Sequence, residues 1–249
     1  MAVPELWDCR AVVFDTDGVI TDSARAHATA WKEAFDAVPG VEPPFDQEDD
    51  YRRYVDGKSR LDGAAAFFAA RNMDLPYGEP DEAPGTDSVC AVAAMKDKIF
   101  MRVLDEGVLE AYPGTVRLML ALQSAHVPCA AISSSRHARD LIEHAGVRPM
   151  LETVVDGNDV ASLGLAGKPD PALFLEAARR LSVPAGSAAI VEDALSGVEA
   201  GRRGGFGLVV GVDRTASATS ADDLRAHGAD IVVRDLGELV GAASEGDGG

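Results

Sequence analysis

Short apolar runs separate longer polar stretches along this chain. They lie at Ala11–Phe14, Pro128–Ile132, Ala188–Val191, Gly207–Val212 and Ile231–Val233. These runs are rich in Val, Ile and Ala and lack the strict alternation of a half-exposed strand. Continuous apolar runs of this length are typical of strands that are buried on both faces.

Helical patterns alternate with the later runs. They cover Thr115–Ala125, Ala138–Ala145, Pro171–Leu181 and Gly197–Gly204. Buried strands that alternate with helices indicate a parallel sheet with helices on both faces. The sequence therefore predicts an α/β fold with a Rossmann-like core.

More than a hundred residues separate the first apolar run from the second, far beyond one crossover helix. Helical spacing recurs there at Ala24–Ala37, Leu61–Arg71 and Val89–Leu104, whereas Leu75–Thr86 carries three Pro and two Gly and predicts a loop. We therefore predict an inserted helical cap domain. The predicted boundaries are 1–23 and 105–249 for the α/β core and 24–104 for the cap.

Composition narrows the possible partners. The 249 residues are 47% apolar and carry a formal charge of −18, which argues against nucleic acid or an anionic membrane as partner. A small anionic substrate remains possible because a local group of cations can overrule the global field. The three cysteines have unrelated spacings, and no segment resembles a signal peptide or a membrane span. We expect a cytoplasmic protein in a reducing setting, and a monomer.

The first apolar run ends in Asp15-Thr16-Asp17-Gly18. Strand alternation would direct both carboxylates to the same side. Burying two carboxylates together is costly unless a hard cation lies between them or they hold different protonation states. An ordinary solvated turn after a strand is the alternative.

Three further polar clusters follow apolar runs or precede a helix. Ser133-Ser134-Ser135-Arg136 indicates either an anion site at a helix N-terminus or an ordinary serine cap, and Lys168 lies in a loop. Glu192-Asp193 is a second acidic pair at a strand end. Adjacent strands lie about 5 Å apart, so these groups can meet around one ion and one phosphate at the carboxyl edge of the sheet.

This ordered series resembles the haloacid dehalogenase-like superfamily of phosphohydrolases and phosphomutases over nearly the whole chain. The resemblance implies that Asp15 is the nucleophile and forms an aspartyl-phosphate, and that Asp17 is the general acid/base and lends its backbone carbonyl to Mg²⁺. It implies that Ser133 binds the phosphoryl group and that Lys168 neutralises its charge. The implied Mg²⁺ site comprises Asp15, Asp17, Glu192 and Asp193.

The predicted cap resembles that of the β-phosphoglucomutase branch, through His27, Trp31 and the segment Asp56-Gly57-Lys58-Ser59-Arg60. An ordinary packing stripe is the alternative for His27 and Trp31. Two positions depart from the branch, because His137 replaces an amide and Asp97 replaces the usual Asn. The resemblance implies a substrate site formed by His27, Trp31, Lys58, Ser59, Arg60, Lys96, Ser134, Ser135, Arg136 and His137.

The leading functional hypothesis is a Mg²⁺-dependent phosphomutase that converts a hexose 1-phosphate into the 6-phosphate through a bisphosphate. The first alternative is a phosphatase for a sugar or sugar-like phosphate, which would use the same core residues. A non-catalytic sugar-phosphate sensor is a more remote alternative. Loss of catalysis on this scaffold usually shows as loss of the nucleophile, the Lys or an acidic ligand, and all of these are present here. In each case the expected partner is a small phosphorylated sugar or sugar-like molecule.

Overall fold

The computed structural model describes residues 5–106, 109–215 and 217–240. The chain divides into two compact units. The first unit comprises Met1–Asp22 and Glu110–Gly249, and the second comprises Ser23–Leu109. The second unit is thus an insertion within the sequence of the first.

The first unit contains a parallel sheet whose strands are ordered β3-β2-β1-β4-β5-β6. Strand β1 pairs with β2 on one side and β4 on the other, so the carboxyl ends of these three strands are neighbours. The predicted parallel α/β sheet is confirmed. The strands are β1 (Ala11–Asp15), β2 (Cys129–Ile132), β3 (Thr153–Val155), β4 (Ala188–Glu192), β5 (Leu208–Val212) and β6 (Ile231–Val233).

Helices follow the strands in the first unit and form the second. The second unit contains α1 (Ala24–Asp36), α2 (Arg60–Ala70) and α3 (Val89–Glu106). The first unit contains α4 (Pro113–Ser124), α5 (Ala138–His144), α6 (Gly157–Leu163), α7 (Ala172–Arg180), α8 (Leu195–Arg203) and α9 (Ser220–His227).

The sheet is buried on both faces. Alternation along β1 directs Val12 and Phe14 into one apolar cluster, together with residues of α4. It directs Val13 into the opposite cluster, which contains Phe174 of α7 and Val198 of α8. Each large side chain buried in this way contributes about 1.5–3 kcal/mol, so the two clusters hold the strand ends in fixed positions.

Aromatic side chains form the core of the second unit. Phe35 of α1 stacks on Trp31 with 4.7 Å between ring centroids and on Phe67 of α2 with 4.0 Å. Phe45 packs against both Phe35 and Phe67. The predicted loop Leu75–Thr86 contains no helix or strand, as its Pro and Gly content indicates.

The sequence pattern missed β3, α6 and α9. The apolar part of β3 is only two residues long, and α6 and α9 are short and begin with mostly polar residues, so none offers a recognisable apolar pattern. Helix α6 begins where the Asp156 side chain accepts the backbone N–H groups of Asn158 and Asp159. Among the described helices, none combines the length and apolar character needed to cross a membrane.

Candidate active site

Lys168 forms the centre of a buried charged cluster at the carboxyl edge of the sheet. Its Nζ lies 2.5 Å from Oδ1 of Asp15, at the end of β1, and it also donates to Oε1 of Glu192, at the end of β4. Exposed fractions are 5% for Asp15, 4% for Lys168 and zero for Glu192. The parallel pairing of β1 with β4 brings the two carboxylates to one lysine.

Both oxygens of Glu192 are engaged. Its Oε2 accepts the backbone N–H groups of Asp193 at 2.7 Å and Ala194 at 2.9 Å. Gly197 faces this carboxylate so closely that a Cβ would overlap it. Glu192 therefore fixes both the lysine and the turn that enters α8.

The charges in this cluster do not balance. Burial raises the pKa of Asp15 well above its ordinary value, Lys168 opposes that rise, and Glu192 and Asp17 add to it. Burial by itself lowers the pKa of Lys168, but Asp15 and Glu192 outweigh it and hold the pKa above its ordinary value. Lys168 is therefore a firmly charged ammonium among an excess of carboxylates.

Asp17 lies beyond the end of β1, so strand alternation does not determine where its side chain points. Its Oδ2 accepts a hydrogen bond of 3.0 Å from the Ser133 hydroxyl. Between the two aspartates, Thr16 donates its hydroxyl to the Ile132 carbonyl at 2.9 Å, which ties this turn to the end of β2. Asp17 and Ser133, predicted separately from two motifs, are thus in contact.

Gly18 and Asp193 are in close contact. Gly18 has a φ of +79°, a conformation that favours glycine, and a Cβ there would overlap the Asp193 carboxylate. The Gly18 N–H donates to the Thr21 carbonyl at 2.9 Å. Because the peptide is trans, the Asp17 carbonyl points away from Thr21.

The acidic residues suit a hard divalent cation. One oxygen each from Asp15, Glu192 and Asp193 lies within 4.8 Å of the others. Carboxylate oxygens are the protein ligands that Mg²⁺ prefers, usually with waters and phosphate oxygens in its remaining positions. The donor set and its excess negative charge therefore fit Mg²⁺.

The serine-rich loop precedes its helix instead of forming the helix N-terminus. Helix α5 begins at Ala138, so the expectation that Ser133–Arg136 supplies a helix N-terminus is wrong. The loop is held by its own hydroxyls, because the Ser135 N–H donates to Ser133 Oγ at 2.9 Å and the His137 N–H donates to Ser135 Oγ at 3.2 Å. Ser134, Ser135 and His137 are partly exposed and Arg136 is exposed.

Three predicted substrate residues of the second unit lie together. Lys96 Nζ is 2.8 Å from His27 Nδ1, and both side chains are buried. The His27 ring stacks on Phe100 with 4.0 Å between centroids, and Lys96 Nζ lies 5.4 Å from the Trp31 ring centroid. His27 and Trp31, one turn apart on α1, thus both lie beside the same buried lysine.

The Lys58-Ser59-Arg60 segment divides into three different environments. Ser59 caps α2, because its hydroxyl accepts the Asp62 N–H and donates to the Asp62 carboxylate. Arg60 pairs with Asp97 of α3 at 3.2 Å, and its buried Nε has no hydrogen-bond partner among the described residues. Burial lowers the pKa of Lys58, and Asp62 opposes that shift.

Arg214, which lies beside the acidic edge, was not predicted from the sequence. Arg214, in the loop after β5, donates its Nε to the Gly18 carbonyl at 2.6 Å. A single arginine in a polar loop carries no motif, and its tie to a turn 196 positions away can be read only from the fold.

Comparison with known proteins agrees with this geometry. A family model described as haloacid dehalogenase-like hydrolase matches residues 9–205. The chain is 41% identical over 239 residues to a β-phosphoglucomutase of Mycobacterium bovis, covering 93% of this chain and 91% of that protein. It is 28% identical over 237 residues to a validoxylamine A 7'-phosphate phosphatase of Streptomyces hygroscopicus, covering 92% and 95%.

A crystal structure of β-phosphoglucomutase from Clostridium difficile shares the fold, with a TM-score of 0.74 and 23% identity over 93% of each chain. The family match covers most of this chain and includes the acidic edge with Lys168. The chain is therefore an enzyme of the haloacid dehalogenase-like hydrolase family.

Proposed function

We propose that the chain transfers phosphoryl groups through a covalent intermediate on Asp15, and that its principal reaction is isomerisation of a hexose 1-phosphate to the 6-phosphate. The observation that carries this proposal is the buried Lys168 held between Asp15 and Glu192. Phosphoryl transfer depends mainly on positioning and on electrostatic stabilisation, and a fixed cation beside a carboxylate supplies both.

Each residue at the edge has a step to perform. The Asp15 carboxylate attacks phosphorus and the bond to the sugar oxygen breaks, while Asp17 donates a proton to that leaving oxygen. In the second half, Asp17 accepts a proton from the attacking hydroxyl and the Asp15–phosphate bond breaks. Lys168 neutralises the Asp15 carboxylate, and the Ser133 hydroxyl, which contacts Asp17, binds the phosphoryl oxygens.

Asp15, Glu192 and Asp193, with the Asp17 backbone carbonyl, would hold Mg²⁺. Bound there, the cation supplies charge neutralisation for the phosphate oxygens. The excess of buried carboxylates around a single lysine supports this assignment.

A mutase needs a second phosphate site, because its bisphosphate intermediate must bind in two orientations. We propose that the second unit is a cap that supplies this site through Arg60, whose planar guanidinium suits bidentate contact with phosphate. His27 and Lys96 would bind the sugar hydroxyls. The 41% identity to a β-phosphoglucomutase supports mutase activity.

A phosphatase that acts on a sugar-like phosphate is the second candidate. Arg60 already has a carboxylate partner in Asp97, which reduces the positive charge available to a second phosphate. The similarity to a validoxylamine A 7'-phosphate phosphatase points the same way. In this case water would attack the Asp15 phosphoester in the second half of the reaction.

Product analysis distinguishes the two candidates. The enzyme is incubated with Mg²⁺, β-glucose 1-phosphate and a trace of β-glucose 1,6-bisphosphate, and glucose 6-phosphate and inorganic phosphate are measured in parallel. The proposal expects the 6-phosphate to form faster than free phosphate. Dominant phosphate release from every hexose phosphate tested would identify a phosphatase instead.

The Arg60→Ala variant tests the second phosphate site. Isomerisation should fall much more than hydrolysis, because water needs no second phosphate contact. Arg71→Ala is the matched control, since Arg71 lies on the same unit and pairs with Asp50 at 2.6 Å. Equal losses in both activities, or equal losses in both variants, would contradict a role for Arg60 in binding the second phosphate.

A further inference from the structure

The turn that carries Asp17 is bound by an arginine from a distant part of the sequence. Arg214 donates its Nε to the Gly18 carbonyl at 2.6 Å and its Nη2 to the Val19 carbonyl at 3.4 Å. Two consecutive carbonyls after the aspartate are thus held by one planar group. Val19 also accepts the Thr115 hydroxyl at 2.7 Å.

The guanidinium of Arg214 is itself held in place. Its Cζ lies 3.6 Å from the centroid of the Tyr112 ring, and its Nη1 donates to the Arg234 carbonyl at 3.3 Å. Stacking on one face and hydrogen bonds at the edge leave the group little freedom, which a flexible ammonium would not reproduce.

Tyr112 also contacts the residues that follow the turn. Its hydroxyl donates to the Asp22 carboxylate at 2.9 Å, and its N–H donates to the Ile20 carbonyl at 2.9 Å. Burial, and next the hydrogen bond to Asp22, raise the pKa of Tyr112 far above its ordinary value, so the phenol stays a donor. The segment from Gly18 to Asp22 is therefore held along its length.

Movement of this turn would displace carboxylates of the proposed Mg²⁺ site. Gly18 touches the Asp193 carboxylate so closely that a Cβ has no room. The Gly18 N–H, bound to Thr21, sets the direction of the Asp17 carbonyl. A shift of the Gly18 carbonyl toward Arg214 or away from it would therefore displace both Asp17 and Asp193.

We propose that Arg214, stacked on Tyr112, is a positioning residue that holds the Asp17–Gly18 turn in the geometry required for Mg²⁺ binding and proton transfer. This inference rests on the proposed phosphoryl transfer. Mutation of a group that hydrogen-bonds and orients a metal ligand typically lowers metal affinity or activity by about 10–100-fold. Arg214 would act in this way without touching the substrate.

The test compares Arg214→Ala with Arg202→Ala in the full chain. Arg202 is a matched control because it also donates to a backbone carbonyl, that of Gly228, and pairs with Asp230. It lies at the end of α8 remote from Asp193. For each protein we would measure the Mg²⁺ dissociation constant by calorimetry, kcat and KM for the sugar phosphate, and recovery with added guanidinium.

Arg214→Ala should raise the Mg²⁺ dissociation constant and lower kcat by about 10–100-fold, with KM nearly unchanged. Millimolar guanidinium should restore part of both for Arg214→Ala and neither for Arg202→Ala. Arg214→Lys, which keeps the positive charge but not the planar group, should remain as impaired as Arg214→Ala. Wild-type Mg²⁺ affinity and kcat in Arg214→Ala or Arg214→Lys would overturn the proposal.

The calorimetric arm separates this inference from the proposed function. If the wild-type protein transfers no phosphoryl group, the proposed function fails, yet the Mg²⁺ constants still decide the role of Arg214. If the wild-type protein is active and the two alanine variants behave alike, phosphoryl transfer stands and the positioning role fails.

Discussion

Two charged clusters of the first unit differ in their balance of positive and negative charge. The acidic edge contains one ammonium, Lys168, with the carboxylates Asp15, Asp17, Glu192 and Asp193. The outer cluster contains three guanidinium groups and three carboxylates, contributed by Arg139, Arg179, Arg180, Asp156, Asp159 and Glu176. The first cluster is rich in negative charge and the second is balanced.

Solvent and pairing differ as much as charge. In the outer cluster, Asp159 lies 2.7 Å from both Arg139 and Arg180, and the Arg179 side chain is 71% exposed. Hydrogen bonds from Arg179 and Arg180 lower the pKa of Glu176 to about 2. At the acidic edge the corresponding shift is upward, because burial raises the pKa of Asp15. The ionised form is thus favoured for Glu176 and disfavoured for Asp15.

The difference separates a structural cluster from a chemical one. Buried charge in excess of its partners lowers the stability of a fold, and such sites are retained where function requires them. Balanced, partly exposed ion pairs contribute modestly to stability and have no evident part in the chemistry. Substitutions in the two clusters should therefore have opposite effects on activity and on stability.

The largest effect is expected for Asp15→Asn. Turnover should fall by roughly 10⁴-fold or more, because the proposed nucleophile is lost. The free energy of unfolding should rise by about 0.5–2 kcal/mol, because one buried like charge is removed. Steady-state kinetics and urea denaturation measure the two effects. Substantial residual turnover would contradict a nucleophilic role for Asp15. A clear loss of stability would show that Asp15 has a structural role.

Removal of divalent metal should have the next largest effect. EDTA should abolish activity and Mg²⁺ should restore it, because the excess carboxylates need a cation to bind phosphate. Saturation to 100 times the dissociation constant should stabilise the protein by about 2.7 kcal/mol, observed as a higher Tm. Asp193→Ala should lose most of this stabilisation, while Asp159→Asn should keep it. Full activity after extensive dialysis against EDTA would refute the metal requirement.

Asp17→Asn should reduce kcat by roughly 10²–10⁴-fold, the range expected when a general acid/base is lost. Its backbone carbonyl survives the substitution, so Mg²⁺ affinity should change little. Ser133→Ala removes the hydroxyl that donates to Asp17 and should have a smaller effect on kcat. The comparison is made by kinetics at saturating Mg²⁺. An Asp17→Asn variant as active as the wild type would exclude proton transfer by Asp17.

The smallest effect is expected in the outer cluster. Asp159→Asn should lower the free energy of unfolding by about 1 kcal/mol, since it weakens two partly buried ion pairs and the capping hydrogen bond from the Asp156 N–H. Activity should stay at the wild-type level at temperatures well below the Tm. Urea denaturation and the product assay provide the two readings. A loss of activity without a loss of stability would mean that this cluster also serves the reaction.

The first unit could be predicted from sequence because its signals are strong and local. Continuous apolar runs predicted five of the six strands in the described part of the chain, and polar residues at the strand ends predicted the acidic edge. Strand β3 was missed because its apolar part is only Val154-Val155, between the polar residues Thr153 and Asp156. Lys168 carries no signal of its own, and only its order among the other motifs indicated its role.

Pairing between distant segments could not be predicted. Nothing in the Lys58-Ser59-Arg60 segment shows that Arg60 pairs with Asp97 of α3. The tie between Arg214 and Gly18 likewise depends on how the loop after β5 folds back to β1.

Trapping the covalent intermediate is the direct test of phosphoryl transfer through Asp15. The enzyme would be mixed with Mg²⁺ and β-glucose 1,6-bisphosphate, quenched in acid within a turnover, and analysed by peptide mass spectrometry. We expect the added mass of one phosphoryl group on Asp15 in the wild type and none in Asp15→Asn. Turnover without a labelled enzyme, or a label on a residue other than Asp15, would contradict it.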